Sequence, residues 1–405
     1  MKRPQIVLAQ DVPPRILRTA LALAISLFFI WGLAYGLLDV LNKHFQDTLK
    51  VGTAESTWLQ VAYFGAYLVV SLPAGVLLQR LGYKAGILIG LAVTAAGALL
   101  FIPAASIGQF APFIGSMFVL AAGLACLETA ADSYVNVLGP AEGASRRLNL
   151  AQSFNGLGTF IGPLIGGTLF FAEEGSAANG GHDSVRMIYA GIGIALVIFA
   201  LFVSRAKLPE IAEETHASSG GQVTLKRPHF IYGVLTQAIY IGAQVGIGAL
   251  FINVAIATWD GLSARSAAYL LSLALVTFML GRFASTALLA RIAPRTLLLV
   301  FGLINVVLTL IVAAGIDRVS LIAMIGVFFF MSTMFPTIFA LGVRDLGPAA
   351  TRGASFMVMA IGGGVLLPYP MGLIGEVYGT PAAFLLPAVA FAIVSLYAWR
   401  GAALR

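Results

Sequence analysis

Charge is what this sequence has least of. Only 10% of its 405 residues are Asp, Glu, Lys or Arg, against about a quarter in an ordinary soluble domain, and that shortage excludes a string of water-facing domains. Cysteine is nearly absent. Cys126 stands alone inside an apolar run, so there is no disulfide framework and no thiolate metal set. His44, His182, His216 and His229 lie singly at span edges or in loops, without metal-ligand spacing. No Walker A run, nucleophile elbow or HExxH occurs, so neither ATP-driven pumping nor hydrolysis has support, and the chain reads as no enzyme. Acidic residues are outnumbered, leaving a formal charge of +7. The basic residues nevertheless stand singly or in pairs between apolar runs, where they set membrane orientation, and no nucleic-acid partner is expected.

What the sequence does have is hydrophobicity, at 59% of residues and a mean hydropathy of +0.94. In a bilayer core every backbone N–H and C=O must be paired within its own element, so a spanning segment is a helix of about 20 apolar residues. Such runs can be counted twelve times, over about 18–42, 56–79, 84–104, 110–138, 148–172, 186–204, 229–257, 265–290, 295–314, 319–344, 352–376 and 380–400. The expected fold is therefore an all-α, multi-pass membrane protein of twelve transmembrane helices in a bacterial inner membrane. The first run follows a polar stretch containing Pro13-Pro14, exceeds a signal-peptide h-region and lacks an evident cleavage site, so it is expected to be a retained span.

The least apolar linker, residues 205–228, separates residues 1–204 from 229–405, each with six spans. Two echoes point to a duplicated half. The basic pair Arg80 and Lys84 after the second span has a counterpart in Arg291 and Arg295 after the eighth, and Leu138-Gly139-Pro140 after the fourth has one in Leu346-Gly347-Pro348 after the tenth. The offsets, 211 between Lys84 and Arg295 and 208 between Pro140 and Pro348, nearly agree. Two pseudo-symmetric six-helix bundles suit a secondary transporter, whose site lies near the midplane between repeats. With the N-terminus in the cytoplasm, 18 of the 24 Lys and Arg fall on the cytoplasmic side and five, Lys43, Lys50, Arg186, Arg265 and Arg318, on the other, while Arg282 lies within a span. That bias predicts both termini in the cytoplasm.

Three carboxylates fall inside apolar spans: Asp39, Glu128 and Asp132. Charge at bilayer depth costs at least about 2.5 kcal/mol, so such a group normally faces the bundle interior or a wet cavity. A carboxylate there can load a proton before the cavity changes its exposure, which is the chemistry of proton coupling. Glu128 has no Lys or Arg in its own span, and the spacing of four puts Asp132 on the same helical face. Amides recur in the spans as Gln60, Gln152, Asn155, Gln237, Gln244 and Asn253, and aromatics as Trp31, Tyr35, Tyr63, Tyr67 and Tyr240. Amides offer the donors and acceptors that a polyhydroxylated ligand needs, and aromatic faces can stack on a sugar ring. Each also has a structural reading, since buried carboxyls and amides bridge helices and aromatics fill cores. The run from Gly156 through Gly158, Gly162 and Pro163 to Gly167 removes side chains so that another helix can approach closely.

These residues resemble the major facilitator superfamily, through the twelve spans in two halves and the loop Gly75-Val-Leu-Leu-Gln-Arg80-Leu-Gly82-Tyr-Lys84. Within it they resemble the fucose permease branch of proton-coupled sugar symporters, which includes glucose/galactose carriers. The matching pieces are Phe29-Ile-Trp-Gly with Asp39, Gln60 to Tyr67, Cys126-Leu-Glu128-Thr-Ala-Ala, Tyr134-Val-Asn-Val-Leu-Gly-Pro140, Arg147-Leu-Asn-Leu-Ala-Gln152-Ser-Phe-Asn155, Gly242-Ala-Gln244-Val-Gly, Phe251-Ile-Asn253 and Met334-Phe-Pro336. The resemblance implies alternating access around a central site, with Glu128 and Asp39 as the coupling carboxylates. Asp39 would also bind substrate, Gln152 and Asn155 would line the polar wall, and Gly75, Arg80, Gly82 and Lys84 would form a cytoplasmic gating loop. No cofactor is expected beyond the proton gradient, and the implied partners are a sugar, a proton and the lipid bilayer, for a monomeric chain. Asp132-Ser133 stands where the family usually has Asn-Pro, and Tyr35-Gly36-Leu37-Leu38 where it often has Asn. Two other readings stay open: a drug or metabolite/proton antiporter of the same fold, and a membrane receptor that binds without transporting.

Overall fold

In the computed structural model of the chain, residues 12–138, 144–171, 182–206, 208–209, 227–344, 346 and 350–401 are described. The Gly139-Pro140 and Gly347-Pro348 echoes lie outside them, as do linker residues 210–226 with His216, and the terminal Lys2, Arg3 and Arg405. Among the described residues there is no strand. The helices are α1 (Pro14–Leu49), α2 (Thr53–Ser56), α3 (Trp58–Leu81), α4 (Tyr83–Ile107), α5 (Phe110–Val137), α6 (Ala144–Phe170), α7 (His182–Arg205) and α8 (Pro228–Thr258). They continue with α9 (Ala264–Leu289), α10 (Pro294–Ala313), α11 (Asp317–Met331), α12 (Met334–Val343), α13 (Ala350–Met359), α14 (Pro368–Tyr378) and α15 (Leu385–Trp399). Tight 3₁₀ turns at Ala360–Val365 and Thr380–Phe384 complete the order.

Among the described residues, eleven helical stretches are long and apolar enough to cross a membrane. The fifth expected span, α6, has the length at 27 residues but is poorer in apolar side chains, because its first half carries Arg146, Arg147, Asn149, Gln152 and Asn155 and its second half is rich in glycine. Three elements differ from the expected spans for visible reasons. Helix α1 runs for 36 residues, well past the expected end at Asn42, since Asn42, His44 and Gln46 are buried among partners rather than left to lipid or water. The tenth span is interrupted between α11 and α12, where Pro336 has no N–H to return to the carbonyl of Ser332. The eleventh passes through a 3₁₀ turn over Gly362, Gly363 and Gly364 before Pro368 restarts the helix.

Large apolar side chains stand exposed along many spans, among them Leu72, Ile198, Phe202 and Ile322, each at least 59% accessible. On helices of this hydropathy such strips face lipid. The Cα atoms fall into two compact units. One comprises residues 1–37, 66–162 and 173–217, and the other residues 38–65, 163–172 and 218–405.

Within the first unit, the small residues of α6 meet α1 backbone to backbone. A Cβ on Gly158 would strike the Phe29 carbonyl, and one on Gly162 would come within 2.6 Å of the carbonyl carbon of Gly36. Only hydrogens fit there, which fixes α1 against α6 at the level of Asn155 and brings both to the site.

Candidate functional site

The first unit carries a carboxylate pair on α5. Glu128 and Asp132, one turn apart, are both half-buried. Glu128 lines a small hollow with Leu127 and Ala131 of α5 and Leu27, Phe28 and Trp31 of α1. The Tyr67 hydroxyl of α3 hydrogen-bonds the Glu128 carboxylate, and Asp132 lies close enough to repel it. One oxygen of each acid, Glu128 Oε2 and Asp132 Oδ1, is buried without a hydrogen-bond partner among the described residues. The one ion pair among those residues is Lys43 to Asp47, at 2.7 Å, so neither acid is paired with a cation among the described residues. Two adjacent carboxyls with spare acceptor capacity and a phenol beside them have the composition needed to hold and release a proton.

Around this pair, Asn155 of α6 donates through Nδ2 to the Phe28 carbonyl at 3.2 Å. Its amide oxygen is thereby aimed away from that bond. Gln152 on the preceding turn and Tyr35 of α1 are half-buried. The first unit thus brings Glu128, Asp132 and Tyr67 together and places Trp31 on the same hollow.

The second unit holds the other carboxylate. Asp39 is buried and receives a long hydrogen bond of 3.4 Å from Gln60 Nε2, while Gln60 itself is fully enclosed. Beyond Asp39 the polar residues of α1 recur at helical spacing and meet α8 in sequence. Asn42 Nδ2 donates to the Ala249 carbonyl at 2.8 Å, and Gln46 Oε1 accepts from Asn253 Nδ2 at 2.5 Å. Both contacts join residues 207 apart in the chain, so this end of α1 lies parallel to α8. Gln46 also donates to Ser56 Oγ at 2.8 Å. Asn253, expected to face a ligand, is therefore half of an interhelical amide bridge. Sequence reading did not single out Asn42, Gln46 or Gly248 as parts of the surroundings of Asp39; the signal was the spacing 39, 42, 46 continuing past the nominal span end.

Of the remaining expected binding residues, Tyr63 and Tyr240 are enclosed, and Tyr240 donates to the Met331 carbonyl at 2.8 Å. Gln237 is fully buried with neither amide atom partnered among the described residues, and Gln244 is half-buried. At the loop after α3, Arg80 is exposed and Gly82 adopts a φ of 84°, the left-handed region that a side chain would strain. Lys84 Nζ donates to the carbonyls of Ser204 and Ala206, each at 2.8 Å, closing the end of α7. Its counterpart Arg295 does the same for α15, through Nε to the Ala398 carbonyl at 2.6 Å and a second bond to Trp399. Lys84 and Arg295 thus cap the ends of α7 and α15 in the same way. Gly75 has open space around it.

The family model described as Major Facilitator Superfamily matches residues 20–365. The chain is 37% identical over 402 residues to the L-fucose-proton symporter of Escherichia coli (strain K12), covering 93% of this chain and 92% of that one. It is 35% identical over 376 residues to the glucose/galactose transporter of Brucella abortus (strain 2308), covering 92% and 91%. Among solved structures it matches the major facilitator transporter FucP in its outward conformation with a TM-score of 0.68 at 36% identity, over 94% of this chain and 98% of that one. A D-xylose-proton symporter, at 14% identity and a TM-score of 0.75, shares the fold.

Proposed function

Because this chain belongs to the major facilitator superfamily, we propose that it is a secondary active transporter, a proton-coupled symporter of a monosaccharide with a ring of the fucose, glucose or galactose kind. The relatives that match nine-tenths of its length are named for fucose, glucose and galactose. The observation that carries the coupling half of the proposal is Glu128: a carboxylate inside a span, with no cation and no partner for one of its oxygens among the described residues, and with an acid and a phenol next to it.

In this reading Glu128 takes the proton from outside and releases it inward, with Asp132 and Tyr67 able to pass or hold it. Asp39 binds ligand hydroxyls, and its occupancy acts on the α1–α8 contact through the adjoining amide bridges. Gln152 and Asn155 offer further polar contacts, and Trp31 and Tyr35 offer ring faces. The driving ion is the proton and no cofactor is used. The chain works as a monomer in a bacterial inner membrane, with both termini in the cytoplasm and with residues 1–204 and 229–405 acting as the two six-helix halves. The loop holding Gly75, Arg80, Gly82 and Lys84 then lies at the cytoplasmic face.

Proteoliposomes test this directly. An inward pH gradient, acid outside, is expected to drive labelled L-fucose, D-glucose or D-galactose above its equilibrium level, and the same sugar to exchange in counterflow without a gradient. Counterflow with no response to the gradient would remove proton coupling; no counterflow with any of the three would remove the substrate class.

A further inference from the structure

The second unit holds more than the second half of the sequence. It also contains residues 38–65 and 163–172, which are the end of α1, all of α2, the start of α3 and the end of α6. Helices α1 and α6 enter it at one level, where Gly162 lies against Gly36. There Pro163 withholds an N–H from the α6 ladder, which lets the helix bend.

Within the unit, two charged side chains of the second half each satisfy a backbone group at the end of a first-half helix. Glu376 of α14 accepts the Ala54 N–H through Oε1 at 2.9 Å. Ala54 lies in the first turn of α2, whose N-cap Gly52 makes no side-chain cap bond, and a Cβ on Gly52 would collide with the same carboxylate oxygen. The missing cap is thus supplied from 322 residues away in the chain. Arg265, in the first turn of α9, donates through Nη2 to the Phe171 carbonyl at 2.7 Å, just past the last residue of α6. A cation at a helix C-terminus meets the carbonyls left over there. Beside both ties the packing is close. A Cβ on Gly372 of α14 would strike the Ala54 Cα, and one on Gly167 of α6 would come within 2.9 Å of Ala268 Cβ on α9.

These contacts are built to part. Glu376 stands two residues before the end of α14 and Arg265 one after the start of α9, so each charge and the backbone group it holds lie at helix ends. Separation there exchanges protein hydrogen bonds for water ones. We infer that Glu376 and Arg265 are the two latches of one gate, closed in this structure, which the ends of α1, α2 and α6 make with α8, α9 and α14. By the proposed orientation the gate faces the periplasm, and it opens to admit the sugar. The inference rests on the proposed transport reading and adds what controls access to Asp39 from outside.

Ala54→Cys tests it by placing a thiol under the first latch, where Ala54 is buried, while keeping the N–H that Glu376 holds. Buried Cys126 lies in the first unit and reports unfolding. Protein with both thiols is reconstituted in nanodiscs, and labelling by a charged maleimide is followed at each cysteine by peptide mass mapping. Adding Glu376→Gln or Arg265→Gln is expected to raise the rate at Ala54→Cys about tenfold, the size of one hydrogen bond to a charged group, with Cys126 unchanged. Arg265 ties a different helix from the one carrying Ala54, so its effect there is the decisive result. A response to Glu376→Gln alone would show a local cap and overturn the gate. So would no response, or labelling of Cys126 in step with Ala54→Cys. Should a glutamine variant fail to fold, Glu376→Asp and Arg265→Lys are expected to give smaller increases at the same thiol, and their absence would overturn the gate equally. In intact cells the maleimide is expected to reach Ala54→Cys from outside in the Glu376→Gln protein; labelling in inverted vesicles alone would overturn the outer placement. Labelling needs no substrate, so a positive result without sugar counterflow would defeat the transport reading and leave the gate standing.

Discussion

The carboxylate of Asp39 is seated against the bare Cα of Gly248: a Cβ added there would come within 2.6 Å of Asp39 Oδ2. A glycine on α8 therefore makes the room in which a carboxylate on α1 sits. Gly248→Ala is expected to displace the Asp39 side chain and, by overpacking, to cost about 1–3 kcal/mol of stability. Counterflow should fall more than expression does. Thermal melting and sugar counterflow, measured side by side, check this, and an alanine variant with wild-type transport would show that Asp39 needs no such seat.

Glu128→Gln removes a titratable group while keeping its shape. A permanently neutral amide mimics the protonated carboxyl, so exchange of sugar down its gradient is expected to persist. Accumulation driven by acid outside is expected to vanish, and the pH dependence of uptake to flatten. Uphill uptake measured across a series of external pH values, next to counterflow at each, decides it. Retained gradient-driven accumulation in the variant would move the coupling role to Asp39 or Asp132.

Lys84 and Arg295 close the ends of α7 and α15 in the same way, and their loss should be similar in kind. Lys84→Gln and Arg295→Gln are each expected to cost about 1.5–3 kcal/mol, the range for hydrogen bonds involving a charged group, while Lys84→Arg retains most of the stability. Melting temperatures of the purified variants in detergent give the comparison. A harmless Lys84→Gln would mean that water satisfies those carbonyls equally well.

Gly162 admits no side chain against Gly36. Gly162→Val is expected to push α6 from α1 and reduce both folded yield and transport, whereas Gly156→Ala, with open space around it, should leave both near wild type. Expression with size-exclusion profiles, followed by counterflow on whatever folds, separates the two positions.

Much of this was legible in the sequence. The helices were, because each apolar run satisfies its own backbone and leaves lipid no alternative structure to stabilise. The acids Glu128 and Asp132 were legible as unusual because charge is scarce among such residues, and their spacing of four put them on one face. Less legible was the continuation of α1 to Leu49, where polar residues read as the end of a span are in fact buried against α8. Nor did Asn253 declare itself as a bridge to Gln46, since an amide in a span looks the same whether it waits for a ligand or already has a partner.

The sequence alone determined the solvent and the helical class, because these follow from local composition and from backbone hydrogen bonding within each segment. Tertiary structure decided which polar groups meet. Asn42 finds the Ala249 carbonyl and Gln46 finds Asn253 across 207 residues of chain, and Gly248 gives Asp39 its place. Such pairings depend on which helix faces pack together, and that choice is made by shape complementarity between distant segments.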